Sequence, residues 1–257
     1  MKLGEKIPLL DHGYIQYIEH YGSDERIIEA ARMSTGKGFL GWGPTHAPNC
    51  GYVGMPDDPQ RSCTCGGKTT PGDEKLLRFL YENKHATPFE MAGIVIEVQA
   101  PIFVFREWHR HRTQSYNEMS ARYTPLPDVN YVPTIDRLLV NSKTDKQAGT
   151  LKGSEELTEE GAAAFQEFVR IQYASAEVGY QHALKIGVPK ELARVHLPVG
   201  RYSRMRASAN LRNWMAFMTL RSAEAAQWEI RQYSLTLGSE IIHPLFPRTW
   251  ELFQGSL

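Results

Sequence analysis

Apolar residues recur at strand or helix spacing along most of the chain. Partial alternation over residues 14–18 and 94–98 predicts two strands, and Pro101 is expected to end the second. The remaining periodic stretches predict seven helices. The first is capped by Ser23, the second is Glu74–Asn83 capped by Asp73, and the third is Ile102–Arg112. A long helix runs from Thr158 to Gly187, another begins at Pro189, another is capped by Asn210, and the last carries Ile230, Tyr233, Leu237 and Ile241.

Two stretches lack this periodicity. Residues 36–72 are rich in glycine and proline, and residues 125–153 are polar and rich in turn-forming residues. We interpret both as loop insertions in one domain that spans residues 1–257. The predicted fold is α+β, with a small antiparallel or mixed sheet flanked by long helices.

The charges balance, since 29 Lys and Arg residues offset 29 Asp and Glu residues. Proteins that bind nucleic acid through non-specific phosphate contacts usually carry a basic excess, so the balance counts against that class. The first residues contain no apolar stretch typical of a secretory signal, and no apolar run reaches membrane-spanning length. We expect a cytoplasmic protein that has no membrane partner.

The most informative segment runs from Arg110 to Tyr123 and reads RHRTQSYNEMSARY. If residues 118–122 are extended, Glu118, Ser120 and Arg122 point to one side. Arginine binds phosphate through a planar fork, so an anionic ligand is one interpretation of this segment. A solvated basic turn is the other, because charge clusters usually lie on the surface.

The order of these residues resembles the signature of the flavin-dependent thymidylate synthases, in which Arg-His-Arg is followed by seven residues and a serine. Arg110-His111-Arg112 and Ser120 match it, as do Asn117-Glu118 and Arg122-Tyr123. Other segments resemble the same family: Ala30–Ser34, His85–Glu90, Glu191–Arg194, Asn210–Arg212, Leu220-Arg221 and Gln227–Ile230. The resemblance covers most of the chain outside the two predicted insertions.

This resemblance implies a role for each matching residue. The residues expected to contact FAD are Ser34, His85, Thr87, Arg110, His111, Arg112, Glu118, Asn210 and Arg212. The residues expected to surround dUMP are Glu107, Arg110, Glu118, Ser120, Arg122, Arg194 and Arg221. Arg221 is the expected catalytic residue, close to the uracil edge, where it would favour the ionised ring.

The resemblance also implies the reaction, which converts dUMP to dTMP. Methylenetetrahydrofolate would donate the carbon, and FAD reduced by NADPH would supply the hydride. The family also implies a homotetramer with the flavin between subunits. No dinucleotide-binding glycine motif or P-loop occurs, so side chains are expected to meet the cofactor phosphates.

Three positions depart from the family pattern. Met91 and Ala225 stand where relatives often have histidine, and Ala216 stands where they often have asparagine. These departures concern the expected flavin contacts and leave the nucleotide-binding arginines unchanged.

The three cysteines all lie between Cys50 and Cys65, in a stretch rich in glycine and proline. None belongs to a nucleophile motif, so we expect the cofactor to supply the chemistry. His46, Cys50, Cys63 and Cys65 are candidate zinc ligands, but their spacing is irregular, and a loop with free thiols is the alternative.

A nucleic-acid-binding protein is the alternative function. Its contact surface would be a basic and aromatic patch over residues 108–123, formed by Trp108, His109, Arg110, His111, Arg112 and Tyr116. The neutral charge balance and the order of the motif favour the enzyme.

Overall fold

A computed structural model describes residues 4–43, 72–142 and 147–256, together with the backbone of residues 45–46 and 69–70. Its centre is a five-stranded sheet in the order β1-β2-β5-β7-β6, in which all neighbours are antiparallel. The strands are β1 (Lys6–Leu9), β2 (Gly13–Tyr21), β5 (Gly93–Pro101), β6 (Ser115–Glu118) and β7 (Tyr202–Asn210), with β3 (Thr45–His46) and β4 (Thr69–Thr70) forming a separate two-stranded ladder.

Helices account for most of the remaining described chain. They are α1 (Asp24–Arg32), α2 (Glu74–Glu82), α3 (Ala86–Glu90), α4 (Ile102–Trp108), α5 (Ile135–Leu139), α6 (Glu159–Lys185), α7 (Lys190–Ala193), α8 (Leu211–Arg221), α9 (Trp228–Thr236), α10 (His243–Leu245) and α11 (Pro247–Gln254). A π-helical segment, Leu237–Ile242, joins α9 to α10. The prediction of an α+β fold with a small antiparallel sheet is confirmed.

Alternation along β5 and β7 places the core on one side of the sheet. Ile94, Ile96 and Val98 are fully buried, whereas Glu97 between them is half-buried on the other face. The buried side chains join a cluster with α1, α4, α8, α9 and α11. The predicted strands at residues 14–18 and 94–98 are confirmed, and Pro101 ends the second as expected.

Three of the predicted helix caps form as expected. The side chain of Ser23 accepts from Arg26 N, that of Thr158 from Gly161 N, and that of Asn210 from Asn213 N. Asp73 precedes α2, but its carboxylate makes no capping bond. It binds the Arg32 guanidinium and the Leu40 amide instead, so this predicted cap is wrong.

Two other predictions need correction. The helix predicted over Ile102–Arg112 ends at Trp108 because the chain turns there toward β6. The stretch 125–153 was expected to be irregular, yet it contains α5. The apolar face of α6 is only partly covered, with Phe165 45% and Phe168 56% exposed. Within the described ranges, no helix is both long enough and apolar enough to cross a membrane.

Candidate functional site

A braced turn between α4 and β6 carries the arginine-rich motif. The Trp108 indole donates to the side chain of Gln114 (3.1 Å), and the Tyr116 hydroxyl donates to the His111 carbonyl (2.7 Å). Burial raises the pKa of Tyr116 to about 12, so the phenol stays protonated and keeps this bond. The turn therefore holds a set shape before any ligand binds.

Arg110 and Arg112 project from this turn, and both are exposed. Neither guanidinium has a hydrogen-bond or ion-pair partner within residues 4–43, 72–142 and 147–256. Two uncompensated cations on one rigid turn are suited to bind an anionic group such as a phosphate.

Arg221, the last residue of α8, is anchored through all three of its nitrogens. Its Nε donates to His111 Nε2 (2.9 Å), Nη1 donates to a Glu107 carboxylate oxygen (2.6 Å), and Nη2 donates to the Glu107 carbonyl (2.9 Å). Its side chain is 15% exposed, and that of Glu107 is 40% exposed. The guanidinium is therefore held in one orientation at the edge of the protein interior.

His111 is neutral in this arrangement. Burial lowers the pKa of its imidazole from 6.5 to about 4, and the adjacent Arg221 cation contributes to this shift, although Glu107 opposes it. Because Nε2 accepts from Arg221, the ring proton lies on Nδ1. The ring also packs edge-on against Phe217, with centroids 4.8 Å apart.

A cavity of about 820 Å³ opens beside Arg221. One wall is formed by Glu107 and Arg221, and another by residues 224–228 at the start of α9. Arg137, Val140 and other described residues of the 125–153 stretch line it as well. The cavity therefore brings together residues that are far apart in the sequence.

A second group of predicted residues lies on the next turn. Ser120 and Arg122 do not share one side of a strand, because β6 ends at Glu118 and the chain turns over residues 121–123. The Ser120 hydroxyl accepts from Arg122 N (3.3 Å), so the extended arrangement considered for residues 118–122 does not form. Arg122 pairs with Glu191 (3.2 Å), which lies three residues before the half-buried Arg194.

A third group lies where α3 meets α8. Arg212 pairs with Glu90 (2.6 Å), while Asn210 caps α8. Thr87 is exposed on α3, and His85 immediately precedes that helix. Ser34 is exposed in the 3-10 turn Met33–Thr35, which follows α1, and α1 contacts α3.

The predicted site residues thus lie at several places in one chain, and α8 connects two of them, since it carries Arg212 near its start and Arg221 at its end. Arg221, His111 and Glu107 are in direct contact, and Glu118 lies 4.0 Å from His109. In the part of the chain that the structure describes, no hydrogen bond or ion pair links Arg122 or Arg194 to Arg221.

Sequence reasoning missed several residues at the site. Gln114 and Phe217 support the motif turn and the histidine, and Arg137, Trp228 and Arg231 line the cavity. The segment Gln227–Ile230 was recognised, which signalled Trp228. Arg137 lies within the predicted insertion, and no motif marks it.

The departures and the alternatives can also be located. Met91, Ala216 and Ala225 are all exposed, and Ala225 lines the Arg221 cavity. Cys50, Cys63 and Cys65 lie outside the described residues, as does the side chain of His46. Among the described residues, no group of three or more potential ligands could hold a metal ion.

The alternative nucleic-acid surface loses its main aromatic residue. Trp108 is fully buried and bonded to Gln114, so it cannot stack on a base. Tyr116 is half-buried, with its hydroxyl committed to the turn.

Comparisons with known proteins agree with the family resemblance of the motif. The model of the family described as thymidylate synthase complementing protein matches residues 16–248. The chain belongs to this family. The flavin-dependent thymidylate synthase of Thermosipho africanus is 34% identical over 245 residues, covering 95% of this chain and 92% of that protein. The enzyme of the same name from Thermus thermophilus is 34% identical over 253 residues, covering 98% of this chain and 79% of that protein.

Solved structures of the family's fold are also similar. The UMP/dUMP methylase PolB from Streptomyces cacaoi, bound with 5-Br dUMP, has a TM-score of 0.72 and 29% identity, and the alignment covers 97% of each chain. The same methylase bound with 5-Br UMP has a TM-score of 0.72 and 28% identity, covering 98% of this chain and 97% of that one. One protein of this fold has therefore been solved both with 5-Br dUMP and with 5-Br UMP bound.

Proposed function

We propose that the protein converts dUMP to dTMP by reductive methylation, with methylenetetrahydrofolate as carbon donor and FAD reduced by NADPH. The observation that carries the proposal is Arg221, anchored on His111 and Glu107 at the edge of a cavity in a chain of this family. The relatives named flavin-dependent thymidylate synthase support the reaction type.

The role proposed for Arg221 is electrostatic. Carbon–carbon bond formation at C5 requires an electron-rich pyrimidine, and a guanidinium at the ring edge stabilises negative charge as it develops there. Since the guanidinium is already oriented by its three contacts, little reorganisation is needed when the ring enters the cavity.

The proposed anion contacts use the other arginines. Arg122 and Arg194, with the Ser120 hydroxyl, would hold the nucleotide together with Arg110 and Glu118. Arg122 and Glu191 form an ion pair in which both side chains are exposed, so a phosphate can replace the carboxylate at modest cost.

The donor set present also fits FAD. Arg110 and Arg112 lack partners among the described residues and match a pyrophosphate, and Ser34, His85, Thr87, Asn210 and Arg212 present further polar groups. The neutral His111 offers an Nδ1–H donor on the same turn. When bound, reduced FAD would supply the hydride that completes the methyl group.

We also propose a homotetramer with FAD between subunits. The family resemblance is one support, and another is that no hydrogen bond or ion pair among the described residues links Arg122 or Arg194 to Arg221. The exposed apolar side chains of α6, including Phe165, Phe168 and Ile171, offer a surface for association.

The test is a complete assay on the purified protein. Formation of dTMP from dUMP should require methylenetetrahydrofolate, NADPH and FAD, and omitting any one should abolish the product. UMP is assayed alongside dUMP because the structurally similar PolB is a UMP/dUMP methylase. No dTMP in the complete mixture, with FAD bound to the protein, would overturn the proposal.

A further inference from the structure

The stretch 125–153 is attached to the rest of the molecule at several points. The Tyr131 amide donates to the Gly200 carbonyl (2.9 Å), and the Val132 amide donates to the carboxylate of Asp11 (2.9 Å). The fully buried Arg201 binds both the Asp128 carboxylate (3.0 Å) and the Leu126 carbonyl (3.1 Å). These contacts fix the residues that lead into α5.

The strongest link between α5 and the site is an ion pair. Arg137 donates from Nε to one carboxylate oxygen of Glu229 (2.9 Å) and from an Nη to the other (3.4 Å). The Glu229 side chain is 4% exposed, and the Tyr131 hydroxyl donates to it as well (3.1 Å). Since Glu229 lies in the first turn of α9, the pair fastens α5 to the helix that begins at the cavity.

Described residues after α5 also line the cavity beside Arg221. Val140 and Ala148 are among them, and the Ser142 amide donates to the Ala148 carbonyl (3.1 Å). Asn141 and Thr150 are joined by two hydrogen bonds of 3.2 and 3.3 Å, which close the base of the loop. Residues 141–142 are thus tied to residues 148–150, and the position of both depends on where α5 is held.

We propose that Arg137 is a positioning residue, which through Glu229 holds α5 and residues 140–142 and 147–148 in the wall of the nucleotide cavity that Arg221 also lines. The inference rests on the proposed function for the identity of the ligand. The predicted insertion then determines the affinity of the cavity for the nucleotide, whereas chemistry at the ring depends on Arg221.

The ion pair can be removed without leaving a buried charge. In the double variant Arg137→Met with Glu229→Gln, both charges are lost and similar volumes remain, so the fold should survive. We expect the KM for dUMP to rise at least about tenfold while kcat stays within about threefold. The single variant Arg137→Lys should recover part of the affinity, because it restores the charge but not the fork.

The matched control is the pair of Arg248 and Glu74, which also joins two elements (3.0 Å) but lies away from the cavity. Arg248→Met with Glu74→Gln should keep the wild-type KM. Dissociation constants for dUMP from calorimetry should follow the KM values in every variant.

A second variant tests the wall without disturbing the ion pair. Ala148→Phe places a ring in the cavity and should raise the dissociation constant and the KM for dUMP, whereas Ser154→Phe, at an exposed position just beyond the same stretch, should not. If Arg137→Met with Glu229→Gln and Ala148→Phe both fold and both keep the wild-type KM for dUMP, the inference is overturned while the proposed function stands. A wild-type protein that forms no dTMP would instead overturn the function, and the inference with it.

Discussion

Arg221 donates its Nε–H to Nε2 of His111 over 2.9 Å, which joins two residues 110 positions apart in the sequence. The contact fixes the histidine as the neutral Nδ1–H tautomer and sets the plane of the guanidinium. Arg221, which is expected at the nucleotide, and His111, which is expected at the flavin, therefore hold each other in place.

Replacing Arg221 by alanine should weaken dUMP binding and dTMP formation at least tenfold while the FAD spectrum is retained. Removing one partner of a partly buried charge pair costs about 2–5 kcal/mol, and about 1.4 kcal/mol corresponds to tenfold. Arg221→Lys should restore only part, because an ammonium lacks the planar fork. Titration with dUMP, with flavin absorbance recorded on the same samples, measures both. Normal dUMP affinity in Arg221→Ala would mean that this arginine has no role at the nucleotide.

The lowered pKa of His111 should make the free energy of unfolding decrease as the pH falls. Its pKa is about 4 in the folded protein against 6.5 ordinarily, so the unfolded chain binds this proton first as the pH falls. The folded state therefore loses stability between pH 6.5 and 4, and its full contribution is present above 6.5. In His111→Gln this part of the pH dependence should disappear. Melting temperatures measured over this range check the prediction, and parallel curves for the two proteins would contradict it.

Arg110→Ala and Arg112→Ala should each lower the affinity for FAD. A charge-assisted hydrogen bond contributes about 1.5–3 kcal/mol, or roughly ten- to a hundredfold. Flavin titration at two salt concentrations provides the measurement, and the loss should be smaller at high salt. Arg78→Ala is the control, since this exposed arginine pairs with Glu82 on α2. Equal FAD affinity in all three variants would exclude the motif turn as the pyrophosphate site.

Replacing Cys50, Cys63 and Cys65 together by serine should leave turnover within a few-fold of the wild type. None of these residues belongs to a matched family segment, so no thiolate is expected to attack the pyrimidine. Product formation and circular dichroism on the triple variant separate loss of chemistry from loss of fold. A folded, FAD-binding variant without turnover would contradict the cofactor-based mechanism.

Local features were predictable from the sequence where neighbouring residues decide them. The caps at Ser23, Thr158 and Asn210 bind amides three residues away, so the pattern in the chain is sufficient. Asp73 occupies the same kind of position, but Arg32, 41 residues earlier, takes its carboxylate. No local pattern contains that competition.

The turn after β6 was likewise determined by contact with a distant part of the chain. An extended segment through Arg122 was one arrangement considered from the sequence, but Met119 makes the last bond to β7 by donating to the Arg204 carbonyl (2.8 Å). Beyond it, the Ser120 hydroxyl binds the Arg122 amide and turns the chain. The end of pairing with a distant strand determined where the extended segment stops.

The sequence by itself determined the fold class, the family and the order of the motif, because these depend on periodicity and on residues close together in the chain. Only the tertiary structure decided that Arg221 is held by His111 and Glu107, and that Arg137 binds Glu229, 92 residues away. Such contacts depend on the packing of helices against one sheet. A residue's ionisation state and orientation follow from the neighbours that this packing brings to it.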